Sequence, residues 1–171
     1  MRDEAPIRND RQGAVGSALP IADAQTVLAL LRITLGVMFV WVFFENWSKG
    51  LYSASGYHGL ITYYIQNGHA PGAWKAMMSF MASHAAVLAP MQAVAELSFG
   101  VLLLFGVLTR PVALAAFGFL ASLWISEWGT AWIWELLVPM IVALLLALGA
   151  AGRRWGVDTV LARKYPRLPL W

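Results

Sequence analysis

Charged groups inside long apolar runs are the first candidates for chemistry in this chain. Arg32, Glu96 and Glu135 each sit in a stretch otherwise dominated by Leu, Val, Ile, Ala and Phe, and Glu45 and Glu127 lie near the ends of such stretches. A charge at the centre of a hydrocarbon layer costs at least about 2.5 kcal/mol on insertion scales, so each of the deeper groups needs a partner or a purpose. Glu45 and Glu127 are equally well explained by solvation, and Glu45 with Lys49 has the i, i+4 spacing of a helix-surface pair. Gln92, Glu96 and Gly100 share a helical face, as do Arg32 and Gly36, then Gly118, Ser122 and Ser126, then Glu135, Pro139, Ala143 and Ala147. Such small or polar stripes are what close helix packing in lipid requires. They turn Arg32, Glu96 and Glu135 toward a common interior. There Arg32 and Glu96 form a candidate intramembrane ion pair, either fixing helix register or serving a ligand or proton role. Pro139 withdraws the N–H that would pair with the Glu135 carbonyl, leaving a free acceptor beside a carboxylate, and this is a candidate binding corner.

The residue types also exclude chemistry. The chain has no cysteine, which removes disulfides, thiolate iron–sulfur clusters, Cys-ligated zinc and covalently attached haem. His58, His69 and His84 have no metal-ligand spacing, so no metal site is expected. Phosphate-binding glycine loops and the nucleophile elbow are absent. Any redox centre is expected to lie in another molecule.

The elements that must position these residues are membrane helices. Of 171 residues, 60% are apolar and 12% charged, with a mean hydropathy of +0.64; soluble domains run nearer half apolar and a quarter charged. The expected fold is all-α, an antiparallel bundle of four transmembrane helices at about 26–47, 84–108, 111–128 and 131–150, each near the roughly 20 residues that cross a bilayer. Gly106 with Thr109-Arg110-Pro111 predicts one tight turn and Gly129-Thr130 another, with Thr130 as a helix cap. In the segment 48–83, Leu60, Ile61, Tyr64 and Ile65, then Trp74, Met77, Met78 and Met81, fall at helical spacing and predict two short amphipathic helices in the interface, with residues 50–58 open to being a loop. Residues 1–25 read as a mobile cytoplasmic tail without a signal peptide, and 152–171 as a basic cytoplasmic tail, leaving 26–151 as the membrane domain.

The net charge of +3 is spread over helix ends rather than gathered in a patch, which argues against nucleic acid and for topology signals. Arg110, Arg153, Arg154, Arg163, Lys164 and Arg167 cluster toward one side, against Lys49 and Lys75 on the other, so both termini are expected in the cytoplasm. Trp41, Trp47, Trp74, Trp124, Trp128, Trp132 and Trp134, seven of the nine tryptophans, then fall on or near the outer side.

With Leu31-Arg32-Ile33 and Gly36, then Glu96, Gly100, Gly106 and Leu108-Thr109-Arg110, then Glu127-Trp128, Trp134-Glu135 and Ala151-Gly152-Arg153-Arg154-Trp155-Gly156-Val157-Asp158, the chain resembles the DoxX-like membrane proteins. Among these it is most similar to the DoxD-type small subunit of thiosulfate:quinone oxidoreductase. The resemblance covers residues 27 to about 162. It implies a subunit in the cytoplasmic membrane of a bacterium or archaeon, working with other membrane subunits in electron transfer to quinone. On this reading the candidate quinone- or ligand-binding residues are Glu135, Glu127 and Glu45 with Trp124, Trp128, Trp132 and Trp134; the tryptophans stack on the ring while Arg32, Glu96 and Glu135 polarise it or exchange protons. The rival readings are a non-catalytic structural subunit of a larger respiratory or photosynthetic complex, and a small transporter or lipid-handling protein.

Overall fold

The computed structural model describes residues 23–168 and residue 170; the expected tail at 1–25 lies almost wholly outside the described residues. These fold as seven α-helices: α1 (Ala24–Ser48), α2 (Ala54–Asn67), α3 (Gly72–Ser83), α4 (Ala85–Phe105), α5 (Thr109–Ser126), α6 (Ile133–Leu148) and α7 (Asp158–Lys164), with a 3₁₀ turn at Ala151–Arg153. No strand occurs among the described residues. The all-α expectation therefore holds.

Four helices make the bundle, with α1 against α4, α4 against α5, α5 against α6, and α6 back against α1. Neighbours are antiparallel, as the contacts of α1 show: Gly36 meets Leu104 and Gly100 while Val40 meets Gly100. A Cβ on Gly36 would come within 2.8 Å of the Leu104 backbone nitrogen, and one on Gly100 within 2.7 Å of Val40, so these two positions let the helix backbones approach closely, as small residues do in lipid. Gly118 does not share this role, because nothing lies within 4 Å of its Cβ position. The core gathers Leu35 and Phe39 of α1, Leu103 of α4, Leu120 of α5 and Met140 and Leu146 of α6.

The outward faces are oily too: Leu30, Val37, Trp41 and Phe44, Val87 and Val94, and Ile141, Leu145 and Leu148 are all exposed. Helices apolar on every side belong in a bilayer. By length and composition α1, α4 and α5 can each cross one, and α6 is a shorter apolar helix of 16 residues, about 24 Å long against roughly 30 Å of hydrocarbon.

The turns are close to expectation, with one difference. Gly106 ends α4 in the left-handed region at φ 63° and Gly129 turns at φ 89°, but Thr130 does not cap α6. Its hydroxyl donates to the Glu127 carbonyl at 2.8 Å, and Trp132 takes the cap position with no side-chain bond.

The segment between α1 and α4 forms two helices, as the spacing predicts. Residues 54–58 are helical rather than loop, started by Ser53, whose hydroxyl accepts the Gly56 N–H at 3.0 Å. Tyr57, Ile61 and Met78 bury against Ala85 and Ala89. The α2–α3 pair is fastened to the α5–α6 turn by the His69 N–H donating to the Trp128 carbonyl at 2.6 Å and by Trp74 Nε1 donating to Ser126 Oγ at 2.9 Å.

Candidate functional site

Beneath α2 and α3, at the tryptophan-rich end of the bundle, lies a cavity of about 960 Å³. Its walls are mainly apolar, with Phe39, Ile61, Met78, Met81, Phe119 and Leu120 among them, and its polar groups gather in two clusters contributed by Asn46, Gln92 and Glu96 and by Ser126, Glu127 and Glu135. An apolar cleft with a few convergent polar groups is the usual form of a small-molecule site.

The first cluster is centred on Glu96, which is 2% exposed. Its carboxylate accepts from Gln92 Nε2 at 2.8 Å, from Asn46 Nδ2 at 3.2 Å and from the Tyr52 hydroxyl. Burial pushes the Tyr52 phenol up, with the Glu96 carboxylate adding to it, so Tyr52 stays protonated and donates. Three neutral donors converging on one carboxylate can hold it in a buried position without a cation.

That arrangement corrects the expected ion pair. Glu96 lies level with Asn46, fourteen residues beyond Arg32 and so about 21 Å further along α1. Arg32 is wholly buried at the opposite, basic end, where its Nη2 donates to the carbonyls of Trp155 at 3.1 Å and Arg154 at 3.4 Å. Its opposite charge is Asp158, also wholly buried. The reason is antiparallel register: a helix meets its neighbour's residues in reverse order, and the Gly36–Leu104 contact puts Arg32 beside the end of α4 instead of its middle.

The second cluster joins three elements. The Tyr64 hydroxyl of α2 donates to Glu127 Oε1 at the end of α5 at 3.0 Å. Burial pushes the Glu127 carboxyl up, the Tyr64 hydrogen bond opposes this, and the Glu135 charge adds to it. Burial likewise raises the Tyr64 phenol, with Glu127 next to it. Glu127 and Glu135 thus line the same cavity from either side of the α5–α6 turn, and the charge of Glu135 disfavours ionisation of Glu127.

The remaining candidates divide. Glu45 is exposed and paired with Lys49 at 2.6 Å; it lines neither cavity, and a flexible surface pair holds it outside. Trp124, Trp128 and Trp132 line a separate cavity of about 230 Å³ with Glu127, where Trp124 stacks on Trp128, and Trp134 stacks on Trp132 with 59% of its surface exposed. Their rings occupy one another or the periphery, so the expected tryptophan stack is absent from the large cavity. The aromatic walls there are Phe39, Tyr57, Tyr63, Tyr64, Trp74 and Phe119, none of them among the ring-stacking residues expected from the sequence. For Tyr57, Ile61 and Tyr64 the available signal was their shared face on α2 at spacings of four and three. Among the described residues, no group of His, Asp and Glu could hold a metal.

The basic end is closed. The expected tail from residue 152 folds back: Val157 and Asp158 N–H groups donate to the carbonyls of Phe105 and Gly106, and the Asp158 carboxylate accepts the N–H groups of Leu108 at 2.7 Å and Thr109 at 2.8 Å. A carboxylate at those free N–H groups caps α5 and complements its dipole. A Cβ at Gly106 would collide with Arg32, and one at Gly152 with Asp158 and Thr109.

A family model described as DoxX matches residues 27–128, from α1 to the end of α5. No curated protein and no solved structure matches the chain.

Proposed function

The chain belongs to the DoxX family, and from that premise we propose that it is the integral-membrane subunit of a quinone-linked oxidoreductase, in the manner of the DoxD-type subunit of thiosulfate:quinone oxidoreductase, and that the 960 Å³ cavity binds the quinone ring. The observation that carries this reading is the cavity itself: apolar walls wide enough for a substituted ring, with carboxyl and phenol groups at two separate points of the lining. The lack of cysteine and of a metal-holding group among the described residues fits a subunit whose electrons are carried by the ring and by partner subunits.

The basic cluster after α6 supports an orientation with that end in the cytoplasm and the cavity opening toward the outer face. Its setting would be the cytoplasmic membrane of a bacterium or archaeon.

Purification in mild detergent with its neighbours, followed by mass spectrometry of extracted lipids, tests the reading. Stoichiometric quinone that is lost when Leu120 and Met78 are enlarged to Phe supports it. Full recovery of an oxidoreductase assembly whose quinone content ignores those changes moves the site to another subunit.

A further inference from the structure

The cavity's hydrogen-bonding inventory is lopsided. Tyr52, Asn46 and Gln92 each spend a donor on Glu96, and Tyr64 spends its own on Glu127. The Trp74 N–H is used by Ser126, whose hydroxyl in turn donates to the Ser122 carbonyl at 2.8 Å. Lys49, at the rim, is paired with Glu45. Asn46 and Gln92 each keep a second amide N–H at the Glu96 end, whereas at the other end what remains open is acceptor capacity: the Glu135 carboxylate accepts no hydrogen bond among the described residues, and Glu127 accepts one side-chain bond at one oxygen. Carboxyl oxygens offer lone pairs to any donor that enters.

A separate observation points to a ligand. Tyr57 lines the cavity and is 4% exposed, yet its hydroxyl has no hydrogen-bond partner among the described residues. That hydroxyl is not among the fully enclosed unpaired atoms, so it is open to whatever fills the cavity, and phenols in such settings ordinarily find a partner. Tyr57 and Tyr64 are seven residues apart on α2, about 10 Å along the axis, a span that the two para oxygens of one six-membered ring can bridge with a hydrogen bond on each side.

Resting on the quinone-ring reading above, we propose that the cavity selects the reduced, dihydroxy form of the ring over the oxidised form, one ring hydroxyl donating to the Glu127–Glu135 pair and the other oxygen meeting the Tyr57 hydroxyl. A hydroquinone brings the donors that the carboxyl pair lacks. A quinone brings only acceptors, and its carbonyl set against a carboxylate leaves both groups unpaired and mutually repelled. Sites built around a hydrogen bond reject analogues that cannot make it by large factors.

The test is calorimetric titration of the full chain in lipid nanodiscs with three probes: a short-tailed 1,4-benzoquinone, its hydroquinone kept anaerobic, and the dimethyl ether of that hydroquinone. The hydroquinone should bind about tenfold or more tighter than either of the others. Glu135→Gln gives the site N–H donors and should raise quinone affinity, narrowing the ratio, while Tyr57→Phe should weaken the hydroquinone several-fold. Quinone binding as tight as hydroquinone binding, or a ratio that Glu135→Gln leaves unchanged, overturns the selectivity and leaves the ring-binding reading standing. If none of the three probes binds, both fall.

Discussion

The two ends of the bundle bury charge in opposite ways. At the basic end Arg32 and Asp158 are wholly enclosed, the carboxylate is consumed by two backbone N–H groups, and glycines at 106 and 152 leave no room beside them. At the tryptophan-rich end Glu96, Glu127 and Glu135 border a large cavity, have no cation bonded to them among the described residues, and in the case of Glu135 retain free acceptors. At the basic end Arg32 bonds through Nη2 alone, its Nε and Nη1 being enclosed without a hydrogen-bond partner, and a buried charge so tightly packed is a fastening. One held by neutral donors beside open volume is available to something that enters. That difference, rather than depth in the membrane, separates the structural charges from the candidate functional ones.

The largest effect should come from breaking the closed end. Asp158→Asn removes the charge opposite Arg32 and turns an amide N–H₂ toward the N–H groups of Leu108 and Thr109. Hydrogen bonds to a charged group are worth about 1.5–3 kcal/mol each, and the same side chain also caps α5. It further holds Leu108, which sits at φ 49°, while Trp155, whose carbonyl accepts from Arg32, sits at φ 55°; left-handed conformations cost non-glycine residues about 1–2 kcal/mol each. Thermal melts in detergent should show a loss of that order. A melt unchanged by Asp158→Asn would show that the end is not a fastening.

Next in size is Glu96→Ala, which orphans donors on Tyr52, Asn46 and Gln92. Each unsatisfied buried group costs about 1–3 kcal/mol, reduced here because these groups are only partly buried and border the cavity, so a total near 2 kcal/mol is expected. Hydrogen exchange should quicken first in residues 49–57, since Tyr52 ties that connection to α4. Uniform quickening across the bundle would instead make Glu96 a general core residue.

The bundle was legible because its signals are local. Twenty-residue apolar runs, Gly106 and Gly129 at turns, and the spacing of the two amphipathic helices each predict an element without knowledge of the rest. The pairing of charges was not legible, because it depends on register between α1 and α4. Gly36 and Gly100 belong to the stripes read from the sequence, but only their contact shows that Arg32 faces residue 106 and Glu96 faces Asn46. The folding back of the basic tail is not legible for a related reason. Asp158 is a single carboxylate six residues after a glycine, and its burial depends on free N–H groups at the start of α5, which lie fifty residues earlier. At the cavity, the tryptophans drew notice by number, whereas the site's own phenols were hidden on a short helix whose role was clear only once it covered the bundle.

A smaller effect concerns Glu127. Its folded-state value is raised from the ordinary one, mainly through burial, so between the two the native protein holds a proton that the unfolded chain releases. Between those two values the unfolded state binds fewer protons, and stability falls as pH rises from the unfolded value near 4.5 through the folded one. Glu127→Gln removes that slope. The melting temperature of the variant should change less between pH 4.5 and 7.5 than that of the parent, and Tyr64→Phe, which removes an opposing hydrogen bond, should steepen the parent's fall. An identical pH profile for parent and Glu127→Gln would mean that the carboxyl is solvated in the folded protein.

The smallest expected effect is a coupling near zero, and it bears most directly on the contrast between the ends. Were Arg32 and Glu96 an ion pair, removing both would hurt less than the sum of removing each, because each single variant strands a buried charge. Their partners are instead disjoint: Arg32 meets the 154–158 segment, and Glu96 meets Asn46, Tyr52 and Gln92. Sites more than about 10 Å apart with no shared partner add to within roughly 0.5 kcal/mol. A double-mutant cycle of Arg32→Met and Glu96→Gln in detergent melts should therefore close within that error even though both single changes are costly. By the same logic Arg32→Met paired with Asp158→Asn should be strongly non-additive, since the second change removes a charge that the first has already stranded. A large coupling between Arg32 and Glu96 would join the two ends into one electrostatic unit, and the division into a fastened end and an open one would no longer hold.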